Sequence, residues 1–303
     1  MGRIIAAADI GSNTVHLLIA ESDGETVTRL ENEGDWISLG TTVARDGSIP
    51  QSVSAHLKET LMGFKRLAKV RKVECLYVFA TEAMRLAKNH DQIIEDIYSS
   101  TGIVVDLITP RREAELGLIG AMSDSPANLD LLIEIGGGSA QVSGVSDGKL
   151  TESCSLPIGT GRLIAEAGLK NPATHHTVRV VEDYVQAEIS KIALGASMPP
   201  KLAVACGGVA RGLWRALHPD GDKVLHQQEL AYIAWAASQN SVTKLAARFK
   251  VKNRRASTLL PGALAYLALM ERLQISDLQV SEFGVREGAV LQIVRGEIQG
   301  CLM

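Results

Sequence analysis

One pattern, written twice, constrains this chain more than anything else in it. Residues 3–8 are apolar and run into a turn of small and polar residues, Asp9-Ile10-Gly11-Ser12-Asn13-Thr14. A second apolar run follows at 15–20, then the turn Ser22-Asp23-Gly24, then a further strand at 26–30. The same order returns at 129–156: an apolar run, Gly136-Gly137-Gly138-Ser139, a strand at 140–145, Ser146-Asp147-Gly148, and a third strand at 150–156. Each block predicts a strand–loop–strand–turn–strand meander. A long-period repeat of this kind points to duplication, with each block opening one of two related domains.

The remaining segments alternate in period. Helical spacing covers 53–70, 112–122, 178–194, 210–217, 229–238, 257–273 and 287–298, with shorter helices at 81–89, 92–98 and 162–167. Buried strands are predicted at 74–80, 103–108, 202–206 and 278–281. Strands alternating with helices predict an α/β architecture. The polar, Pro-containing stretch 123–127 marks the boundary between domains spanning 1–125 and 126–303. The last helix, about 286–303, is expected to pack back near the first domain.

Composition removes several classes. With 46% hydrophobic and 21% charged residues, the 303-residue chain can bury a core and is not disordered. The longest apolar stretch, 258–270, is bracketed by Arg255, Glu271 and Arg272 and is too short to span a membrane. Only about five apolar residues precede Asp9, too few for a secretory signal. Cys75, Cys154, Cys206 and Cys301 form no CxxC pair and read as free thiols of a cytoplasmic protein. A net charge of -3 and 4% aromatic residues argue against a dedicated nucleic-acid binder.

Three strand ends run into small-residue loops: 9–14, 134–139 and the Ala205-Cys206-Gly207-Gly208 turn. Glycine lets the backbone approach an anion, and clustered N–H groups then cradle phosphate oxygens. Gly11, Ser12, Asn13, Thr14, Gly136, Gly137, Gly138, Ser139, Gly207 and Gly208 are the candidate phosphate ligands. A P-loop, a GxGxxG fingerprint and HExxH are absent. Residues 144–148 match GxSxG but fall on a predicted hairpin rather than a strand-to-helix elbow.

These loops belong to a wider set of motifs: DIGSNTVHLLIAE (9–21), FATEAMRLAKN (79–89), REAELGLIGA (112–121), IEIGGGSAQV (133–142), LPIGTGRL (156–163), CGGVARGL (206–213) and FGVREGAVL (283–291). In this order, over essentially the whole chain, they resemble the exopolyphosphatase/guanosine pentaphosphate phosphatase (Ppx/GppA) family, in its short two-domain form. The resemblance implies two actin-like (ribonuclease-H-like, ASKHA) domains with the active site in an interdomain cleft, a homodimer, and cytoplasmic removal of terminal phosphate from inorganic polyphosphate or from guanosine pentaphosphate. It assigns Glu113 as the base that activates water and Arg85 as a phosphate-neutralising cation. It places Mg²⁺ (or Mn²⁺) on Asp9, Glu134 and Gln141.

The chain departs from the family at several charges. Glu134 replaces an Asp and Gln141 a Glu, so metal affinity should fall. Arg112 stands for the first Glu of an E-E pair, Glu115 for the following Arg, and Ser38 for an Arg. Three readings follow: a phosphohydrolase; a polyphosphate or guanosine-tetraphosphate binder with weak turnover; an actin-like ATP-dependent kinase. Residues 248–255 hold five cations in eight positions, read as a solvated helix end or loop, as a basic rim for a polyanion, or as a nucleic-acid contact. Arg111 and Arg112 sit unfavourably at a helix start by the dipole argument. His175-His176 lack companion ligands, and His16 reads as structural.

Overall fold

The computed structural model describes residues 2–125, 128–194, 199–219 and 221–298. Its elements are, in order, β1 (Arg3–Ile10), β2 (Thr14–Ser22), β3 (Val27–Trp36), α1 (Leu39–Asp46), α2 (Gln51–Val70), β4 (Cys75–Ala80), α3 (Glu82–Leu86), α4 (His90–Thr101), β5 (Val105–Leu107), α5 (Pro110–Met122), β6 (Leu131–Ile135), β7 (Ala140–Ser146), β8 (Lys149–Leu156), α6 (Thr160–Ala167), α7 (His175–Ile189), β9 (Ala203–Cys206), α8 (Gly207–Leu217), β10 (Val224–His226), α9 (Gln227–Gln239), α10 (Val242–Arg248), α11 (Asn253–Ala256), α12 (Leu259–Arg272), β11 (Asp277–Val280) and α13 (Val285–Val294).

They form two compact units. The first comprises 1–123 and 283–303, the second 124–282. The C-terminal segment therefore falls in the first unit; the sequence division counted it with the second domain while expecting its helix to pack back near the first. Residues 126–127 of the expected linker and 299–303 of the expected last helix lie outside the described residues, and α13 ends at Val294.

The first unit holds a sheet ordered β3-β2-β1-β4-β5, with β1, β2 and β3 antiparallel and β4 and β5 parallel to β1. The second holds a sheet ordered β10-β11-β9-β6-β7-β8. There the β6-β7-β8 meander repeats β1-β2-β3, and β9 lies parallel to β6 as β4 does to β1. The duplicated sequence pattern is thus a duplicated topology.

β1 explains why its sequence is almost uniformly apolar. Ala6, Ala8 and Ile10 join a core with Leu57 and Leu61 of α2 and Ile93 and Ile97 of α4. Ile5 and Ala7 join a second core with Leu116 of α5 and Val285, Ala289 and Val290 of α13. A strand buried on both faces loses the polar alternation of a half-exposed one. Side chains alternate across a strand, so Asp9 shares the face of Ile5 and Ala7, the face covered by α5 and α13.

Several segments escaped the sequence reading. Helix α1, the short strand β10 and helices α10 and α11 were not anticipated as separate elements, and the segment read as helix 178–194 ends at Ile189. Buried Cys75 is in a disulfide, which corrects the expectation of four free thiols; Cys154 and Cys206 are free, and Cys301 lies outside the described residues. Among the described residues no helix is long and apolar enough to cross a membrane.

Helices α5 and α13 approach so closely that backbone meets backbone. A Cβ on Gly120 would lie 2.0 Å from the Gly284 carbonyl oxygen, and one on Gly288 would lie 1.9 Å from the Leu116 oxygen. We predict that Gly288→Ala forces the helices apart and costs about 3 kcal/mol. Urea denaturation would read this as a lowered midpoint at unchanged slope; an unchanged midpoint would contradict the packing.

Candidate active site

Each unit builds its glycine loop by the same device. In the first, the Gly11 N–H donates to the Thr14 carbonyl (3.1 Å), closing the β1–β2 turn. The Ser12 carbonyl accepts from the Gly40 N–H (2.7 Å), and the Asn13 carbonyl from those of Ile37 and Ser38 (3.1 and 2.9 Å). In the second, the Gly136 N–H donates to the Ser139 carbonyl (2.8 Å). The Gly138 carbonyl accepts from Gly159 (3.0 Å), that of Gly136 from Thr160 (3.0 Å), and that of Gly137 from Gly161 and Arg162 (2.7 and 3.1 Å). A trans peptide points its N–H opposite its C=O. The amides of Asn13 and Thr14, and of Gly137, Gly138 and Ser139, therefore face away from the segments that hold the carbonyls. Loops with carbonyls turned inward and amides outward suit an anion.

The closeness of these supports demands glycine. A Cβ on Gly40 would meet the Ser12 Cβ at 2.8 Å, and one on Gly159 would meet Gly138 backbone at 2.3 Å. Sequence reading singled out neither as a site residue. Their signal lay in the parallel strings Leu39-Gly40-Thr41 and Ile158-Gly159-Thr160.

The first unit gathers Asp9, Arg85 and Glu113. Thr109 caps α5, its hydroxyl accepting from the Arg112 N–H (3.2 Å), with Pro110 in the first turn. This start aims Glu113 inward. Arg85, from α3, donates to the Glu113 Oε2 (3.1 Å) and to the Ile108 carbonyl (2.7 Å). Burial pushes the Glu113 carboxyl up to about 7, with Arg85 opposing and the charges of Asp9 and Glu82 adding. Burial likewise raises Asp9 to about 6, with Arg286 pulling it down. The Asp9 Oδ1 is buried without a hydrogen-bond partner, and Gly11 lies under the carboxylate, its Cβ position 3.6 Å from Oδ2.

Arg286 is a residue the sequence reading left unassigned, although it stands inside the FGVREGAVL string. It is buried on α13 and donates to the Asn32 Oδ1 (3.0 Å). The next residue, Glu287, caps α13 through the Gly284 N–H (2.9 Å) and pairs with Arg29 (2.6 Å). Arg111 and Arg112 both pair with Glu115, at 3.1 and 3.5 Å, and Arg112 also donates to Gln292. The departures at 112 and 115 therefore form a local ion pair of their own on α5.

In the second unit, Glu134 stands opposite Gln141 in the β6–β7 register and beside Cys206 of β9. Its Oε1 is 2.9 Å from the Cβ position of Gly207, whose φ of 84° favours glycine. Gln141 is buried and donates to the Ser139 Oγ (3.0 Å), tying its amide to the glycine loop. Arg255 lies across Gly208 and Gly212: its guanidinium is 3.8 Å from the Cβ position of the first, and its Cδ 2.5 Å from that of the second. Burial and the charge of Arg215 lower its pKa, and no carboxylate pairs with it among the described residues. The sequence reading counted Arg255 only as part of a basic run.

Among the described residues no three His, Cys, Asp or Glu side chains converge as a metal-binding group. Mg²⁺ needs no such cage, since it keeps several waters and uses one or two carboxylates plus substrate phosphates. The unpartnered, buried Asp9 oxygen fits that role.

The paired sheets with repeated meanders define an actin-like α/β protein. The profile of the Ppx/GppA phosphatase family matches residues 18–297, and the chain belongs to that family. The crystal structure of the Aquifex aeolicus family member superposes with a TM-score of 0.82 at 27% identity, over 99% of this chain and all of that one. The exopolyphosphatase from Cytophaga hutchinsonii shares the fold (TM-score 0.83, 20% identity, 97% and 98% coverage). Exopolyphosphatase 1 of Mycobacterium leprae is 26% identical over 98% of this chain and 91% of its own length. Exopolyphosphatase 1 of Mycobacterium tuberculosis is 27% identical over 98% and 90%.

Raised carboxyl pKa values carry a cost in stability. Asp9 and Glu113 hold protons in the folded state that the unfolded chain has released, so their contribution falls as pH rises from about 4 to about 7. In metal-free buffer we expect the urea midpoint of the wild type to fall across this window relative to the Asp9→Asn/Glu113→Gln variant. A gap between the two that stays constant with pH would contradict the burial argument.

Proposed function

We propose that the protein is an exopolyphosphatase that releases the terminal phosphate of inorganic polyphosphate by attack of water. Glu113 carries the reading: a largely buried carboxylate, paired with Arg85 and raised to about 7, is matched to a general base working near neutrality. The Mycobacterium relatives bear the same activity in their names.

In this reading Glu113 accepts a proton from water as its oxygen attacks the terminal phosphorus. The bridging P–O bond breaks, and the shortened chain leaves with the electron pair. Arg85 holds the Glu113 carboxylate in place through one nitrogen and is itself fixed by the Ile108 carbonyl through another. Asp9 is proposed to hold Mg²⁺, which when bound neutralises charge on the terminal phosphoryl group. The loops 11–14 and 136–139, Gly207, Gly208 and Arg255 are proposed phosphate ligands. Glu134 and Gln141 are assigned to the cation by the family's pattern, Gln141 with an uncharged oxygen and hence lower affinity. Guanosine pentaphosphate, which ends in the same anhydride, is proposed as a second substrate.

Gln141 also favours a second reading, in which the chain binds polyphosphate with little turnover. Its amide donates to Ser139, where a glutamate would have to accept.

Phosphate release from long-chain polyphosphate, with and without Mg²⁺, separates the two. We expect Glu113→Gln to lower kcat by about 10²- to 10⁴-fold with substrate binding retained. Wild-type kcat should rise with pH through a limb near 7, as Glu113 loses its proton, and this limb should vanish in the variant. Gln141→Glu should lower the Mg²⁺ concentration needed. Weak wild-type release that grows strongly in Gln141→Glu would favour the binding reading.

A further inference from the structure

Helices α2 and α4 of the first unit run side by side in the same direction. At their starts Asn89 is bound to Ile49 twice: its Oδ1 accepts from the Ile49 N–H and its Nδ2 donates to the Ile49 carbonyl, both at 2.9 Å. Farther along, the Lys65 ammonium of α2 donates to the Thr101 carbonyl at the end of α4 (2.8 Å). Between these two ties the helices leave an open cavity of about 400 Å³. Gln51, Ser54 and Lys58 line it from α2, and Asn89, Gln92 and Asp96 from the side of α4. Both sets are spaced by three and then four residues, which puts each on one helix face. The sets match step for step, so Lys58 and Asp96 stand at the same end, about 10 Å along from the helix starts.

This lining is unusual for two helices packed on one sheet. The buried stripe of α2 reads Ser54, Leu57, Leu61, Phe64 and Ala68. Ser54 stands where the stripe calls for an apolar residue. It is 3% exposed, and its hydroxyl has no hydrogen-bond partner. A buried hydroxyl left unpaired destabilises a fold, so its presence asks for another explanation. Lys58 and Asp96 are half-buried, and neither side chain has an ion-pair or hydrogen-bond partner among the described residues. Their own helices offer none. The residues three and four positions from Lys58 are Ser54, Ala55, Leu61 and Met62; those around Asp96 are Gln92, Ile93, Ser99 and Ser100.

We propose that this cavity is a binding site for a small zwitterion, a free α-amino acid, held with its carboxylate on Lys58 and its ammonium on Asp96. An α-amino acid carries both charges on one carbon, which suits a cation and an anion at the same level of two neighbouring helices. Its side chain then extends along the groove toward Ser54 and the amides of Gln51 and Gln92. A simple anion would leave Asp96 unanswered, a simple cation would leave Lys58, and a neutral sugar would leave both. The site shares no residue with the glycine loops or with Asp9, Arg85 and Glu113, and it stands apart from the polyphosphate reading.

The test uses the full chain. The standard L-amino acids, each alone, are titrated calorimetrically into the wild type and into Lys58→Gln, Asp96→Asn and Ser54→Ala. We expect at least one to bind the wild type, with affinity lowered about tenfold or more in Lys58→Gln and in Asp96→Asn, whose urea midpoints should match the wild type. The N-acetyl derivative of that amino acid lacks the ammonium and its amide lacks the carboxylate. Both should bind the wild type about tenfold or more weakly than the parent. Ser54→Ala should weaken binding while raising the urea midpoint of the free protein, because the unpaired hydroxyl is gone.

Absence of binding by every standard amino acid would overturn the site, as would undiminished affinity in Lys58→Gln and Asp96→Asn. Equal binding of the N-acetyl or the amide derivative would mean that one charge goes unread, and would overturn the zwitterion. A lowered urea midpoint in Ser54→Ala would mean that the fold already satisfies the hydroxyl, and would count against the site.

Discussion

The activity proposed for this protein depends on which way the peptide groups of two short loops point. A carbonyl facing a phosphate repels it, and an N–H attracts it. In both units a segment distant in sequence takes up the loop carbonyls: 37–40 for the first loop and 159–162 for the second. Both segments come within van der Waals exclusion of their loops, which is why Gly40 and Gly159 have no room for a side chain. The loop glycines permit the conformation; these supporting glycines impose it. The repetition of both loop and support in the two units is stronger evidence of duplication than the apolar pattern, because a hydrogen-bond scheme is harder to arrive at twice than a run of valines and leucines.

The carboxylates are a second consequence of the same architecture. β1 is covered on both faces, so a charged side chain near its end is buried whichever way it points. The two-residue period sends Asp9 to the side of α5 and α13, where Glu113 and Arg286 await it. Two carboxyls raised to about 6 and about 7 sit there with Arg85 and Arg286 as the opposing charges. Such a cluster is costly for folding at neutral pH and useful for moving a proton there, the usual relation between a strained site and its function. The tight α5–α13 packing, glycine against backbone, is what holds these two helices over β1 despite that cost.

Much of the fold was legible, and the exceptions have physical reasons. The meanders showed because each opens on an apolar strand and its turns carry glycine, although the third strands, β3 and β8, are largely polar and exposed. β10 did not, since three residues at a sheet edge give no period. Helices α10 and α11, before and within the basic run, went unread because seven and four residues are too few to show a helical period. The C-terminal helix was expected to pack back near the first domain, but its periodicity does not show the face it packs with: α13 is buried nearly all round, including Arg286, Glu287 and Gln292, so it has no apolar stripe. Within the site, Glu113, Arg85 and Asp9 stood out by motif. Arg255 and Arg286 did not, because a buried arginine looks like any other until its surroundings are seen.

By itself, the sequence determined the α/β class, the duplicated meander, the family and the residues at the strand ends that carry charge or lack side chains. These follow from local rules: periodicity, turn chemistry and the identity of a residue within a motif. Only the tertiary structure decided which carbonyls are turned inward and which carboxyls are raised. Each of these depends on groups far apart in sequence meeting in space, and neither burial nor the direction of a hydrogen bond is written in the order of residues.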